Sequence, residues 1–320
     1  MASFILEDKI SKLRSDGGST GVNDSLRKVL GGRRFDRIVE VGCNDCYLLN
    51  NLREYADELV GIDPVLAGRE DEFSDTQLTV MGDFVENVEL EKKPNTLYIT
   101  SHVMEHLQNP RTMLESLVES AGEGSLFVFQ FPGFDSLLQD MRFDQVYNHH
   151  LQYFSLHSIK YLIEMVGGRL LEYHVDPHYW GTLMVVFSLD GGSSVPCTRR
   201  QRTEYVVDQY RAFKSRMRLN NQYLKSFDER KFGYGAALQV PVLSYHMANN
   251  FSDFECILDD DERKDGKYFL NLPVLIRHPS NGFDLEGAVV LITAHNFSRK
   301  IIPRILPMNP KRIILPNGGI

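Results

Sequence analysis

From Arg37 onward the chain falls into short apolar runs at regular intervals. RIVEVG (37–42), ELVGID (58–63), QLTVMGD (77–83), TLYITS (96–101) and SLFVFQF (125–131) are rich in β-branched residues and too short for helices. Between them lie stretches with helical periodicity, such as MLESLVES (113–120). Alternation of this kind predicts a parallel sheet flanked by helices. Two more strands are predicted at RLLEYHV (169–175) and TLMVVFSL (182–189), each bounded by glycines. Residues 1–30 are polar and read as a short helix, a glycine turn and a second helix capped by Asp24 or Ser25.

Gly191-Gly192-Ser193-Ser194 breaks this pattern. Residues 198–230 carry charged and aromatic side chains at helical spacing and predict a long connecting helix. A second alternation follows: KFGYGAA (231–237), ECILDDD (255–261), LPVLI (272–276), VVLITAHN (289–296) and RIILP (312–316). The expected organisation is an α/β domain over 1–190, a connecting helix over 191–230 and a smaller α/β domain over 231–320. No repeat at fixed period is visible.

Composition narrows the class. The 320 residues are 42% hydrophobic and 24% charged, enough apolar material for packed cores. The net charge of −8 argues against a general nucleic-acid binder. Four cysteines do not make a disulfide scaffold, so a reducing cytoplasm is expected. The first residues lack a basic segment followed by an apolar one, so no secretory signal is read. No apolar run reaches the ~20 residues of a membrane span.

The strongest local signal is Val39-Glu40-Val41-Gly42-Cys43-Asn44-Asp45-Cys46, between a strand and a helix. Gly42 lets the backbone turn sharply and approach a ligand, because it has no Cβ. A dinucleotide fingerprint would need two further glycines, where Asn44 and Cys46 stand. A dinucleotide-dependent oxidoreductase is therefore a remote alternative. The next strand ends in Gly61-Ile62-Asp63-Pro64, where a carboxylate can accept both hydroxyls of a ribose. The third ends in Asp83-Phe84, an acid beside an aromatic that suits an adenine, and the fourth in Ser101-His102. A cluster after the fifth strand, Tyr147-Asn148-His149-His150-Leu151-Gln152-Tyr153-Phe154-Ser155, offers imidazoles and phenols for proton transfer near neutral pH.

These strand ends resemble the class I S-adenosylmethionine-dependent methyltransferases over roughly residues 37–190, with E-x-G-x-N and G-I-D-P in order. The resemblance implies a Rossmann-like seven-stranded sheet with TLMVVFSL as its antiparallel strand. It implies that Glu40, Gly42 and Asn44 line the methionine part of S-adenosylmethionine. Asp63 would hold its ribose and Asp83 its adenine, with Ser101 and His102 beside the sulfonium. The 147–155 stretch is similar to the Y-H-E-H-x-x-Y-F-S of sugar-nucleotide C-methyltransferases from deoxysugar pathways. Tyr147, His150, Tyr153, Phe154 and Ser155 match, while Asn148 and His149 replace the family's His and Glu. His178 through Thr182, Tyr234-Gly235-Ala236, Asp259 through Gly266 and His295-Asn296 echo further stretches of that family. Its cysteine-rich zinc module has no counterpart in this sequence. The only C-x-x-C, Cys43 to Cys46, lies in the glycine loop without a second pair.

The implied function is methyl transfer to a nucleotide-linked sugar, at carbon beside a keto group, with His150 or Tyr147 as base and His149 in reserve. Tyr153, His178, Tyr234, Gly235 and Asn296 are the expected acceptor-binding residues, with the turn at 234–236 turning backbone N–H groups toward a phosphate. O-methylation of a sugar or other small hydroxyl compound is the alternative, and a non-catalytic binding subunit a remote one. No metal site is expected: Asp259-Asp260-Asp261 reads as an acidic turn at a strand end. Oligomeric state is left open.

Overall fold

A computed structural model describes residues 30–176, 181–196 and 201–317. The helices expected over 1–30 lie mostly outside it, as does His178. The chain divides into two compact units. One takes the residues up to Ser136 and the stretch 149–200; the other takes Leu137–Asn148 and everything from Gln201.

The first unit is built on seven strands: β1 Phe35–Val41, β2 Ala56–Ile62, β3 Leu78–Met81, β4 Thr96–Ser101, β5 Leu126–Pro132, β6 Arg169–Asp176 and β7 Thr182–Ser188. Their order is β3-β2-β1-β4-β5-β7-β6. The first five are parallel to one another, and β7 runs antiparallel between β5 and β6. The seven-stranded sheet expected from the resemblance is thus present. β4 is buried at every position and β1 at all but one, the mark of strands covered on both faces. One face packs Val39, Phe127 and Phe129 with Ile159 and Ile163; the other packs Ile38, Leu59 and Leu97 with Leu49. Tyr98, Phe127 and Phe187 stack at centroid spacings of 4.8 and 4.6 Å across three neighbouring strands.

Short helices close the crossovers. α1 is Tyr47–Asn51, α2 Pro110–Glu119, α3 Phe134–Gln139 and α4 Leu156–Met165. Asn109 caps α2 ahead of Pro110, whose missing N–H costs nothing at that position. Ser155 and Ser158 form a reciprocal capping box on α4. The order reverses between β1 and β4, so the carboxyl ends of these strands frame the crevice where open α/β sheets bind ligands.

The second unit has a five-stranded, wholly parallel sheet in the order β10-β9-β8-β11-β12. Its strands are β8 Lys231–Tyr234, β9 Cys256–Leu258, β10 Ile276–Arg277, β11 Val289–Ile292 and β12 Arg312–Ile314. The helices are α5 Thr203–Lys225, α6 Gln239–Met247 and α7 Ser298–Ile305. The strand expected over 272–276 is reduced to Ile276–Arg277, because Pro273 has no N–H for a ladder. The expected connecting helix is α5, which buries Phe213, Met217 and Leu224 within this unit. The segment 137–148 also belongs here, through Phe143 against Tyr210 and Phe213. In both respects the division differs from the 1–190, 191–230 and 231–320 reading.

Candidate active site

The turn after β1 is tight. Gly42 has φ +77°, and a Cβ there would lie 2.4 Å from Cγ2 of Val103. Its N–H donates to the Ile62 carbonyl at 2.7 Å, tying the turn to the end of β2. Asn44 and Cys46 also take left-handed conformations, at φ 48° and 56°. Asn44 N–H donates to Asp63 Oδ2 at 2.8 Å, and Val65 N–H to Asp63 Oδ1 at 3.0 Å. Asp63 is buried, and each of its oxygens keeps a second lone pair for another donor. Glu40 is fully buried in β1, beside Gly61 and Ile99 in register.

The helix after this loop has only five residues, too short to offer a site at its own N-terminus. Cys43 and Cys46 are fully buried, and their mutual hydrogen bond followed by burial pushes the Cys43 thiol far above its ordinary range. Both are inert packing residues.

At the end of β3, Asp83 is exposed. Its Oδ1 accepts from Phe84 N–H at 2.7 Å and from Asn87 Nδ2 at 2.9 Å. The Asn87 bond foremost, then the Phe84 bond, hold this carboxyl below the usual range. The Phe84 ring beside it is 59% exposed, a free apolar face.

The turn after β4 carries the most chemistry. Ser101 is buried, and His102 sits at φ 57°, a strained conformation for a non-glycine residue. His102 Nδ1 lies 3.1 Å from Glu105 Oε1. Glu105 is 2% exposed, and among the described residues no donor faces its Oε2. Burial pushes its pKa up, but the His102 hydrogen bond and the charges of His102 and His106 outweigh burial and leave it below the ordinary value.

The loop that follows His149 is clamped onto this turn. The Glu105 carbonyl accepts Leu151 N–H at 2.7 Å and Gln152 N–H at 3.1 Å. In return, His106 Nδ1 donates to the His149 carbonyl at 2.7 Å. These bonds bring His150 to His106, with ring centroids 5.1 Å apart, and to Tyr153 at 6.1 Å. Burial first, then the charges of His106, His102 and His149, pull the His150 pKa down to about 4 against the opposing pull of Glu105. At neutral pH His150 is therefore an uncharged imidazole able to accept a proton.

The first unit therefore brings Gly42, Asn44 and Asp63 together at one strand edge, and His102 and His150 together through Glu105. His149 is half-buried in the same loop, whereas Tyr147 falls in the segment assigned to the second unit. Glu105 and His106 were not singled out from the sequence. Their partner His150 is 44 positions from His106, so no local spacing exposes the grouping.

In the second unit Gly235 follows β8 at φ +103°, where a Cβ would lie 2.2 Å from that of Ala294. The phosphate-facing N–H groups expected at this turn are already used inside the protein. Gly235 N–H donates to the Leu258 carbonyl, Ala236 N–H to Asp259 Oδ2 and Ala237 N–H to the Gly235 carbonyl. Tyr234 is buried and its hydroxyl donates to Asp260 at 2.8 Å. Asp259 pairs with Lys264 and Asp261 with Arg263, which holds the Asp261 carboxyl down at about 2. Asn296 accepts from Arg142 Nη2 at 2.8 Å, and Arg142 makes a two-bonded ion pair with the buried Asp144. These residues thus form an internal network of the second unit.

A family model described as a methyltransferase domain matches residues 14–173, half of the 320. The chain belongs to this family of methyltransferases. Among curated proteins, the C-methyltransferase NovU of Streptomyces niveus is 25% identical over 154 residues, 47% of this chain. The match spans 37% of that relative's length. Similar solved structures include an S-adenosylmethionine-dependent methyltransferase of Clostridium acetobutylicum, with 13% identity and TM-score 0.46 over 57% of this chain and 99% of the other. Another is the N-methyltransferase NodS of Bradyrhizobium japonicum in complex with S-adenosyl-L-homocysteine, with 15% identity and TM-score 0.44 over 55% of this chain and 89% of the other. Among the described residues no helix is long and apolar enough to cross a membrane.

Proposed function

We propose that this methyltransferase modifies a nucleotide-linked sugar at a carbon beside a keto group, in the cytoplasm, with S-adenosylmethionine as donor. The observation that carries the donor site is the cross-link between the Gly42 loop and Asp63 through Asn44 N–H. It holds a glycine turn and a carboxylate side by side at the carboxyl ends of β1 and β2. The residues fit the cofactor: Asn44 Nδ2, Thr100 Oγ1 and Gln130 Oε1 are buried with no hydrogen-bond partner among the described residues. When bound, the cofactor supplies a methyl group on a sulfonium.

Glu40, Gly42 and Asn44 would line its methionine portion. Asp63 would accept the ribose hydroxyls through its spare lone pairs, while Asp83 and Phe84 take the adenine edge and face. Ser101 and His102 would stand near the sulfur. Alignment and exclusion of water are the main demands of a one-step methyl displacement. The tight packing of Val103 over Gly42 serves both.

His150 is the proposed base. It is neutral at pH 7, but a pKa near 4 gives it little pull on an ordinary C–H or O–H proton. Its reaction needs an acceptor whose acidity has been raised. Tyr147 as oxyanion donor and His149 as a second base rest on the sequence pattern alone. So do Tyr153, His178, Tyr234, Gly235 and Asn296 as acceptor-binding residues. O-methylation of a sugar or other small hydroxyl compound is the second reading.

The test is mass spectrometry of reactions containing S-adenosylmethionine and a panel of keto- and hydroxy-sugar nucleotides. A gain of one methylene, located by NMR on carbon, is the expected result. A methyl located on oxygen selects the second reading, and no gain with any acceptor overturns the sugar-nucleotide assignment.

A further inference from the structure

Glu105, His106 and His150 each present one ligand atom, and these atoms lie within 4.8 Å of one another. We infer that they form a binding site for a first-row transition-metal dication, of the Zn2+ or Mn2+ class. The inference rests on the methyltransferase reading only for the ion's role, since the ligand set stands on the geometry of the β4 turn.

Three observations support the site. First, a carbonyl oxygen can only accept, so the 2.7 Å contact between His106 Nδ1 and the His149 carbonyl places the ring proton on Nδ1. Nε2 of His106 then carries the lone pair, the tautomer that a ligating histidine adopts when its other nitrogen donates to a backbone carbonyl. Second, Glu105 is 2% exposed, yet no donor faces its Oε2 among the described residues. A buried carboxylate oxygen without a donor is costly, and a cation at this position would remove that cost. Third, its other oxygen faces His102 Nδ1 at 3.1 Å, the outer contact that orients a ligating carboxylate.

The scaffold is rigid where it matters. Glu105 and His106 sit on one 3-10 turn, Met104–His106. The His150 loop is held to that turn by the Leu151 and Gln152 N–H bonds to the Glu105 carbonyl. Around a tetrahedral ion with ligand distances near 2 Å, donor atoms stand roughly 3.4 Å apart, so no pair here needs to close by more than about 1.4 Å.

Donor chemistry selects the ion. One carboxylate with two imidazoles suits Zn2+, Mn2+ or Fe2+, whereas Ca2+ and Mg2+ prefer all-oxygen shells. Three protein ligands leave a position open. With the ion bound the His150 lone pair is on the metal, so His150 acts as ligand and not as base: a keto oxygen taken at the open position would acidify its neighbouring C–H, or a hydroxyl oxygen its own O–H, and that proton leaves to water. A weakly basic site is then sufficient for methyl transfer.

The experiment uses the full chain stripped with a chelator and titrated with Zn2+, Mn2+ and Mg2+ by calorimetry, followed by metal analysis. One equivalent of Zn2+ or Mn2+ is expected, with affinity lowered at least about tenfold in His106→Ala and His150→Ala and unchanged in His157→Ala, an exposed histidine on α4. Wild-type protein charged with Co2+ should show visible d–d absorption that Zn2+ abolishes, a readout independent of the variants' folding. No uptake by wild type, uptake unaltered by both histidine substitutions, or no d–d absorption would overturn the site. S-Adenosyl-L-homocysteine is titrated in parallel on the stripped protein. Its binding without metal uptake removes only the metal site, and metal uptake without its binding removes only the proposed cofactor edge at Gly42, Asn44 and Asp63.

Discussion

His106 Nδ1 donates to the main-chain carbonyl of His149 at 2.7 Å, while the Glu105 carbonyl next to it receives two N–H groups from the same loop. The turn after β4 and the loop after β5 are thereby one structure. His106→Ala should loosen that loop. A His106→Asn substitution, whose amide can still donate, should retain more of its order. Hydrogen exchange of Leu151 and Gln152 amides checks this: faster exchange in the alanine variant is expected, and equal exchange in both would contradict the coupling.

Gly42→Ala forces a side chain into a left-handed position 2.4 Å from Val103. The backbone cost is about 1–2 kcal/mol, and either the loop or the Val103 side chain must also give way. More than tenfold weaker binding of S-adenosyl-L-homocysteine is expected by calorimetry, with a modest fall in Tm. Binding at wild-type strength would remove the glycine loop from the cofactor site.

Phe84→Ala isolates the adenine contact, because the ring is 59% exposed and contributes little to the core. Affinity for S-adenosyl-L-homocysteine should fall by a few-fold while Tm stays within about a degree, consistent with surface substitutions costing under ~0.5 kcal/mol. A drop in Tm with unchanged affinity would mean the ring is structural.

Asp144 is 1% exposed and makes two hydrogen bonds with Arg142 and one with Gln239. Asp144→Ala leaves a buried guanidinium uncompensated, which typically costs about 3–5 kcal/mol. Denaturant unfolding of the full chain should show a loss of that order. A change under about 1 kcal/mol would show that the pair is not stabilising.

Acid should weaken the metal-free protein in a defined window. His150 and His295 both titrate near 4 when folded, chiefly because burial disfavours their charged forms, against an ordinary 6.5. As pH falls through 6.5 the unfolded chain takes up these protons first, so stability is full above that value and is lost progressively down to about 4. Thermal melts across this range should show the decline, and His295→Gln should make it shallower. A flat profile in wild type would contradict the buried-neutral assignment.

Much of the fold was legible from the chain because its strands are short, β-branched and buried on both faces. TLYITS at 96–101 is a strand over the expected residues, and TLMVVFSL supplies the antiparallel β7. LPVLI was misleading: its apolar composition suits a strand, but Pro273 shortens the ladder. Segment 137–148 could not be assigned from sequence because its partners, Tyr210 and Phe213, lie more than sixty positions away. The Gly42 and Asp63 placement followed from strand ends. The histidine–glutamate grouping did not, since only the adjacency of β4 and β5 brings Glu105 to His150. The turn at 234–236 looked open because sequence does not reveal that Asp259 already receives the Ala236 N–H.

The central claim is that the edge built from Gly42, Asn44 and Asp63 holds S-adenosylmethionine. Isothermal titration of the full chain with S-adenosyl-L-homocysteine tests it most directly, with NAD as comparison and Asp63→Asn as the site control. One equivalent of the homocysteine compound should bind, at least about tenfold more weakly to the variant, with no heat from NAD. No binding to wild type, or equal binding to wild type and Asp63→Asn, would contradict the account.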